Sequence, residues 1–395
     1  MNAVSGPIGD PVRYDFDRAP ERRGSDSAKW ARYGRDVLPL WVADLDFPAP
    51  EPVLEALRRR VEHGVFGYGV EPPEFREVIR AILRQQYGWQ VDREAIVLIP
   101  GVVIGFNLAS LAVAGPGGGV VIQPPTYPPF FAIGQKTGVQ VQQAPLARTA
   151  GGYELDLAVL ERALSPSSRM LLLCNPHNPV GRVFTETELQ GLAEVCLRHD
   201  LVICSDEIHQ DFIYTGHSHR PIAALGPEVA ERTITLIAPS KTYNLAGFHC
   251  ALAVVSNPEL RARLEQARGG LMPGRSGVLD FVAGLAAYSQ GGEWLSQLLA
   301  YLEANRDFLA EYVRDELPGV TMFKPEGTYL AWLDCREARL PCPPGEFFLK
   351  GAKVALNEGA DFGAEGAGFV RLNFGCPRGT LAAALGRMKT ALATL

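Results

Sequence analysis

At 395 residues the chain is too long for one simple core, and two domains are expected. A formal net charge of −6 leaves no basic footprint for nucleic acid and no polybasic patch for a membrane surface. No apolar run reaches transmembrane length, and Met1 to Arg18 lacks the apolar stretch of a signal peptide, so a cytoplasmic protein is expected.

The first forty or so residues are polar and punctuated by Pro7, Pro11 and Pro20, which reads as an extended arm. Helical periodicity begins at Val53, Leu54, Leu57 and Val61 and returns at Phe75, Val78, Ile79, Ile82 and Leu83. From about residue 95, short apolar runs alternate with longer segments. The predicted strands are Ala95–Ile99, Val120–Ile122, Met170–Cys174, Leu201–Ser205, Thr233–Ile237 and Ala251–Val255. A helix opened by Thr185 and Glu188, a capping-box pair, separates two of them. Strands alternating with helices predict an α/β fold whose mainly parallel sheet is covered on both faces.

After about residue 290 the pattern changes. An amphipathic helix through Trp294, Leu295, Leu298 and Leu302 leads into strands near Thr328–Leu333 and Gly368–Asn373, a smaller α+β unit. The expected organisation is an N-terminal arm over 1–48 that contributes to the small domain, a large domain over 49–289 and a small domain over 290–395. The cysteines (Cys174, Cys196, Cys204, Cys250, Cys335, Cys342, Cys376) are seven in number and form no Cys-x-x-Cys pair. That pattern fits core residues in a reducing compartment better than a disulfide framework or a zinc ribbon.

Ligands of open α/β sheets gather at the carboxyl ends of strands. Here those positions carry Asn175-Pro176-His177-Asn178-Pro179-Val180-Gly181, then Asp206-Glu207-Ile208-His209, then Ser240-Lys241. Burial disfavours an ammonium, so a lysine directly after a buried strand becomes a nucleophile able to form a Schiff base; taken alone, Lys241 also fits a snorkelling surface lysine. Asp206 needs a cationic partner such as a protonated pyridine nitrogen, or else it caps the next helix. Gly101, before Val102 and Val103, opens an apolar helical stretch (Phe106 to Ala114) whose bare N–H groups favour a phosphate, although glycines there commonly just cap. Gly115 to Gly119 reads as a turn without the ending of a nucleotide-binding P-loop. Tyr127, between prolines, either stacks on a flat ring or simply packs.

These motifs together resemble pyridoxal 5′-phosphate enzymes of fold type I, in the class I/II aminotransferase superfamily, from about residue 30 to the end. Asn178-Pro179-Val180-Gly181, Asp206, Ser240-Lys241 and Arg371 occur in that family's order and spacing. The resemblance implies that Lys241 holds the cofactor covalently and moves the Cα proton. Asp206 would pair with the pyridinium nitrogen, Asn178 with the ring oxygen, and Tyr127 would stack on the ring. Val102, Val103 and Ser240 would receive the phosphate, and Arg371 would clamp the substrate carboxylate. His209 joins the expected cofactor contacts. Tyr68 matches a tyrosine that reaches the phosphate from a neighbouring subunit, which implies a homodimer with a shared active site.

Two departures narrow the resemblance. His209 stands where most aminotransferases carry tyrosine, and His249 where many carry a phosphate-binding arginine. Asp206-Glu207-Ile208-His209, Leu38 to Phe47, Val61 to Tyr68 and Arg371 to Pro377 are similar to the cystathionine β-lyase and cysteine C–S lyase subgroup. The implied reaction is β-elimination from L-cystathionine or a related thioether. Alternatives are transamination of an amino acid and, in another class, regulation by docking to a transcription factor. His217-Ser218-His219 reads as a polar loop rather than a metal site, because no cysteine or carboxylate ligands accompany it at metal spacing.

Overall fold

The computed structural model describes residues 13–271 and 276–395; Pro7, Pro11 and the rest of the first twelve residues of the expected arm lie outside the described residues. Seven strands form the central sheet: β1 (Ile96–Ile99), β2 (Gly119–Ile122), β3 (Gln140–Gln143), β4 (Ser168–Cys174), β5 (Val202–Asp206), β6 (Thr233–Ile237) and β7 (Ala251–Val254). Their order is β1-β7-β6-β5-β4-β2-β3. Pairings from β6 through β3 are parallel, whereas β7 runs antiparallel to both β6 and β1.

Burial on both faces explains why the strands are apolar without alternation. Along β4, Met170, Leu172 and Cys174 pack with Phe106 and Ala109 of the helix Val102–Val113. Leu171 and Leu173 face the other way, against Leu189, Leu192 and Cys196 of the helix Glu186–Arg198. Trimming a fully buried leucine such as Leu172 to alanine costs about 2–5 kcal/mol. The expected capping box is present: Glu188 N donates to Thr185 Oγ1 at 3.2 Å and Thr185 N to Glu188 Oε2 at 2.8 Å. The edge strand β3 is polar and went unpredicted; an edge needs only one bonded neighbour and tolerates such a sequence.

A second, antiparallel sheet follows the long helix Gly292–Glu316. Its strands are β8 (Thr321–Met322), β9 (Leu330–Asp334), β10 (Asn357–Glu358) and β11 (Phe369–Asn373), in the order β8-β9-β11-β10. Val370, Leu372 and Phe374 enter a core with Leu298 and Leu302, so strand alternation sends Arg371 and Asn373 to the other face. Phe16, Leu40 and Leu45, from the segment expected to be an extended arm, are buried in that same core. Within this segment the described residues form a four-residue helix, Ala28–Ala31, and Leu38–Pro39 pairs in parallel with Val354–Ala355. Among the described residues no helix is long and apolar enough to cross a membrane.

Candidate active site

Because β4, β5 and β6 are adjacent and parallel, their carboxyl ends share one rim: Cys174 lies opposite Asp206, and Asp206 opposite Leu236. A cavity of about 290 Å³ opens there. Its lining includes Val102, Val103, Tyr127, Asn178, Asp206, His209, Ser240, Lys241, His249 and Arg371. The predicted residues therefore meet around one space, with a single exception. Tyr68 is fully exposed and takes no part in the cavity of its own chain.

Lys241 sits on the short helix Pro239–Thr242 directly after β6. Its Nζ donates to Ala43 O at 2.5 Å. Part of the side chain still faces the cavity, yet burial, reinforced by Arg371, pulls the amine down to about 8 against the opposing pull of Asp44 and Asp206. Asp206 is pushed the other way. Burial raises its carboxyl to about 7, Glu207 adds to the rise, and the Ile208 N–H and Lys241 offset part of it. Ile208 N donates to Asp206 Oδ1 at 3.1 Å.

Arg371 projects from β11 and is buried. Its Nη1 donates to Asn178 Oδ1 at 3.0 Å, and its Nη2 to Asn357 Oδ1 at 2.7 Å and to Trp41 O at 2.9 Å. Nε has no partner, and among the described residues no carboxylate pairs with the guanidinium. Burial lowers even this group to about 10. A buried cation held only by neutral acceptors is costly unless an anion joins it. Its bond to Asn178 also aims the Asn178 oxygen at the guanidinium and leaves the amide nitrogen free of that contact.

His209 is buried with Nδ1 unpartnered and its ring edge-on to Tyr329 at 5.7 Å. Burial first, then Lys241 and Arg371, bring it down to about 3, so it is an uncharged ring near neutral pH. Burial raises the Tyr127 phenol, and Asp206 adds to that. Gly101 precedes the helix Val102–Val113, whose first N–H groups are left without intrahelical acceptors. His249 is exposed, lines the cavity and is anchored through its backbone N–H to Asp280 Oδ1 at 2.9 Å.

Three contributors were not read from the sequence: the carbonyls of Trp41 and Ala43, and Asn357. The first two lie in the Leu38 to Phe47 stretch, so a signal existed, but backbone acceptors leave no residue signature. Asn357 pairs with Arg371 across β10 and β11, a register that sequence does not display. His219 corrects an expectation. The loop is polar at the exposed His217 and Ser218, but His219 is buried, with Nε2 2.9 Å from Glu207 Oε2. Among the described residues no group of three or more His, Cys, Asp or Glu side chains could hold a metal.

A lysine and a buried acid at the carboxyl rim of a parallel sheet, with a buried arginine lining the same cavity from β11, form a set able to hold an anionic, carbonyl- or amine-bearing ligand. The aminotransferase class I and II family profile matches residues 35–388, and the chain belongs to that family. It is 40% identical over 387 residues to cystathionine beta-lyase PatB of Bacillus subtilis (strain 168), covering 96% of this chain and 100% of that protein. The crystal structure of OvoB superposes with a TM-score of 0.92 at 43% identity, covering 97% of this chain and 100% of that one. Cystalysin from Treponema denticola, whose crystal structure contains a pyridoxal 5′-phosphate cofactor, gives a TM-score of 0.93 at 31% identity, with 97% and 100% covered.

Proposed function

We propose that this chain is a pyridoxal 5′-phosphate-dependent carbon–sulfur lyase. It cleaves L-cystathionine or a related cysteine S-conjugate by β-elimination, releasing a thiol, pyruvate and ammonia. The observation that carries the reading is the meeting of Lys241, Asp206, Asn178 and Arg371 around one cavity, in a chain with a cystathionine beta-lyase relative at 40% identity.

The residues fit the coenzyme. A buried carboxyl raised to about 7 calls for a nitrogen that shares its proton, and a buried amine lowered to about 8 is available to an aldehyde. When bound, the coenzyme supplies that aldehyde and an electron-withdrawing ring that stabilises negative charge at the substrate α-carbon.

Lys241 would hold the coenzyme's aldehyde carbon through its amine, and the same amine would take the substrate α-proton. Arg371, already oriented by Asn178, Asn357 and Trp41, clamps the α-carboxylate through charge-assisted bonds. Asp206 holds a proton at the ring nitrogen, Asn178 binds the ring oxygen, and Tyr127 covers one ring face. His209 keeps an uncharged ring at the same rim, so it adds no second cation to compete for Asp206. Val102 and Val103 N–H groups and the Ser240 hydroxyl receive the phosphate. A thiol has a pKa of roughly 8.5, so the departing sulfur needs little help from an acid.

Two copies assemble in this reading, with Tyr68 of each reaching the other's phosphate site. The exposure of Val65, Phe66, Tyr68 and Val70 supports a covered face. The test supplies L-cystathionine without any keto acid and follows thiol and pyruvate. Equal release of both is expected; product formation only after a keto acid is added would make the protein a transaminase instead.

A further inference from the structure

Behind the rim lies a polar network that the chemistry above leaves unused. Glu207 follows Asp206 but is fully buried and does not line the cavity. Its Oε1 accepts from Ser205 Oγ at 2.8 Å and from Ile222 N at 3.4 Å, and its Oε2 faces His219 Nε2 at 2.9 Å. The opposite ring nitrogen, His219 Nδ1, faces Asn175 Nδ2 at 3.5 Å. The Asn175 amide is oriented by Phe184, whose N–H donates to Oδ1 at 3.1 Å, so nitrogen and not oxygen points at the imidazole. An amide NH₂ only donates. Nδ1 is therefore the acceptor, and the single ring proton sits on Nε2, directed at the Glu207 carboxylate.

We propose that Glu207, His219 and Asn175 form a positioning network for the coenzyme ring. A neutral imidazole, protonated on Nε2 alone, ties the turn after β4, which carries Asn178, to the end of β5, which carries Asp206. It also leaves Glu207 as a buried anion surrounded by neutral donors.

Backbone bonds reinforce the same joint. Asn175 N donates to Asp206 O at 3.0 Å and Glu207 N to Leu236 O at 2.9 Å, so all three strand ends are fastened around this network. Tyr87 closes it with its ring edge-on to His219 at 5.6 Å. The electrostatic consequence reaches the cavity, because the Glu207 charge strengthens the hold of Asp206 on a proton. A carboxylate that retains its proton in common with a ring nitrogen keeps that ring electron-poor. Side chains behind a ligand that fix its partners commonly matter almost as much as the partners.

What the network positions rests on the pyridoxal 5′-phosphate reading; the proton placement does not. The test uses the intact protein labelled with ¹⁵N-histidine, the His219 signal being assigned by its loss in His219→Gln. At neutral pH one bare nitrogen and one protonated nitrogen are expected, the latter coupled to Glu207. A doubly protonated ring, or a proton on Nδ1, would overturn the proposal. In the holoenzyme, Glu207→Gln should weaken binding of pyridoxal 5′-phosphate roughly tenfold and move the coenzyme's ¹⁵N ring signal toward that of an unprotonated pyridine. A variant that folds with both readings at the wild-type value would overturn it as well. Failure of the wild-type protein to take up the coenzyme would instead sink the proposed function and leave the His219 assignment standing.

Discussion

The rim formed by β4, β5 and β6 keeps charged and polar side chains out of water, whereas the segment from Val61 to Val70 leaves apolar ones in it. Asp206 at the rim and Arg371, which lines the same cavity from β11, are 4% and 5% exposed. Between the helices Glu51–His63 and Phe75–Tyr87, Phe66 is 56% and Tyr68 109% exposed. Each arrangement is unfavourable by itself. Buried charge costs desolvation, and bare apolar surface forgoes about 25 cal/mol for each Å² left wet. The first cost is recovered when a coenzyme and substrate supply opposite charges, the second when another surface covers the segment. In the proposed reading, one region is completed by a small molecule and the other by a second copy of the chain.

Lys241→Ala should lower pyruvate release from cystathionine by roughly 10⁴-fold, at the upper end for loss of a proton-transferring group, while the thermal midpoint stays within a few degrees. A variant that unfolds would mean that the lysine supports the fold more than the chemistry. Phe66→Asp acts on the other region. Sedimentation should show association weakened by about 2–4 kcal/mol, with turnover falling alongside it. Unchanged mass and activity would show that the apolar segment covers nothing.

Arg371→Lys probes the cavity from its β11 side. It keeps the charge but loses the planar fork, so KM should rise roughly tenfold to a hundredfold with coenzyme binding little altered. Asp206→Asn reveals the cost of the rim without its ligand. The folded-state pKa of Asp206 is raised from 3.8 to about 7, so the native state holds the proton over a window in which the unfolded chain has lost it. Stability of the coenzyme-free protein then falls as pH rises from about 4 to about 7, by up to about 4 kcal/mol from this group. Urea unfolding of the variant should lose that slope, and a slope identical to the wild type would assign it elsewhere.

The rim was legible because its parts obey a local rule: an apolar strand ends and a polar side chain follows, as at Cys174, Asp206 and Ile237. The parallel order of β4, β5 and β6 does the rest. What was hidden depends on tertiary pairing. Gln140–Gln143 becomes a strand only because β2 offers it an edge. Lys29, within a stretch that reads as a solvated arm, is buried with its Nζ 3.0 Å from Asp46 Oδ2, a partner that polarity alone does not announce. His219 looks like loop because His217 and Ser218 are loop; its burial is set by Glu207, twelve residues earlier.

The central claim is that the strand-end cavity holds its coenzyme through one particular amine. Incubating the protein with pyridoxal 5′-phosphate, reducing with borohydride and mapping the peptides by mass spectrometry tests this directly. A coenzyme-sized mass addition on Lys241 is predicted; an addition on another lysine, or none at all, would contradict it.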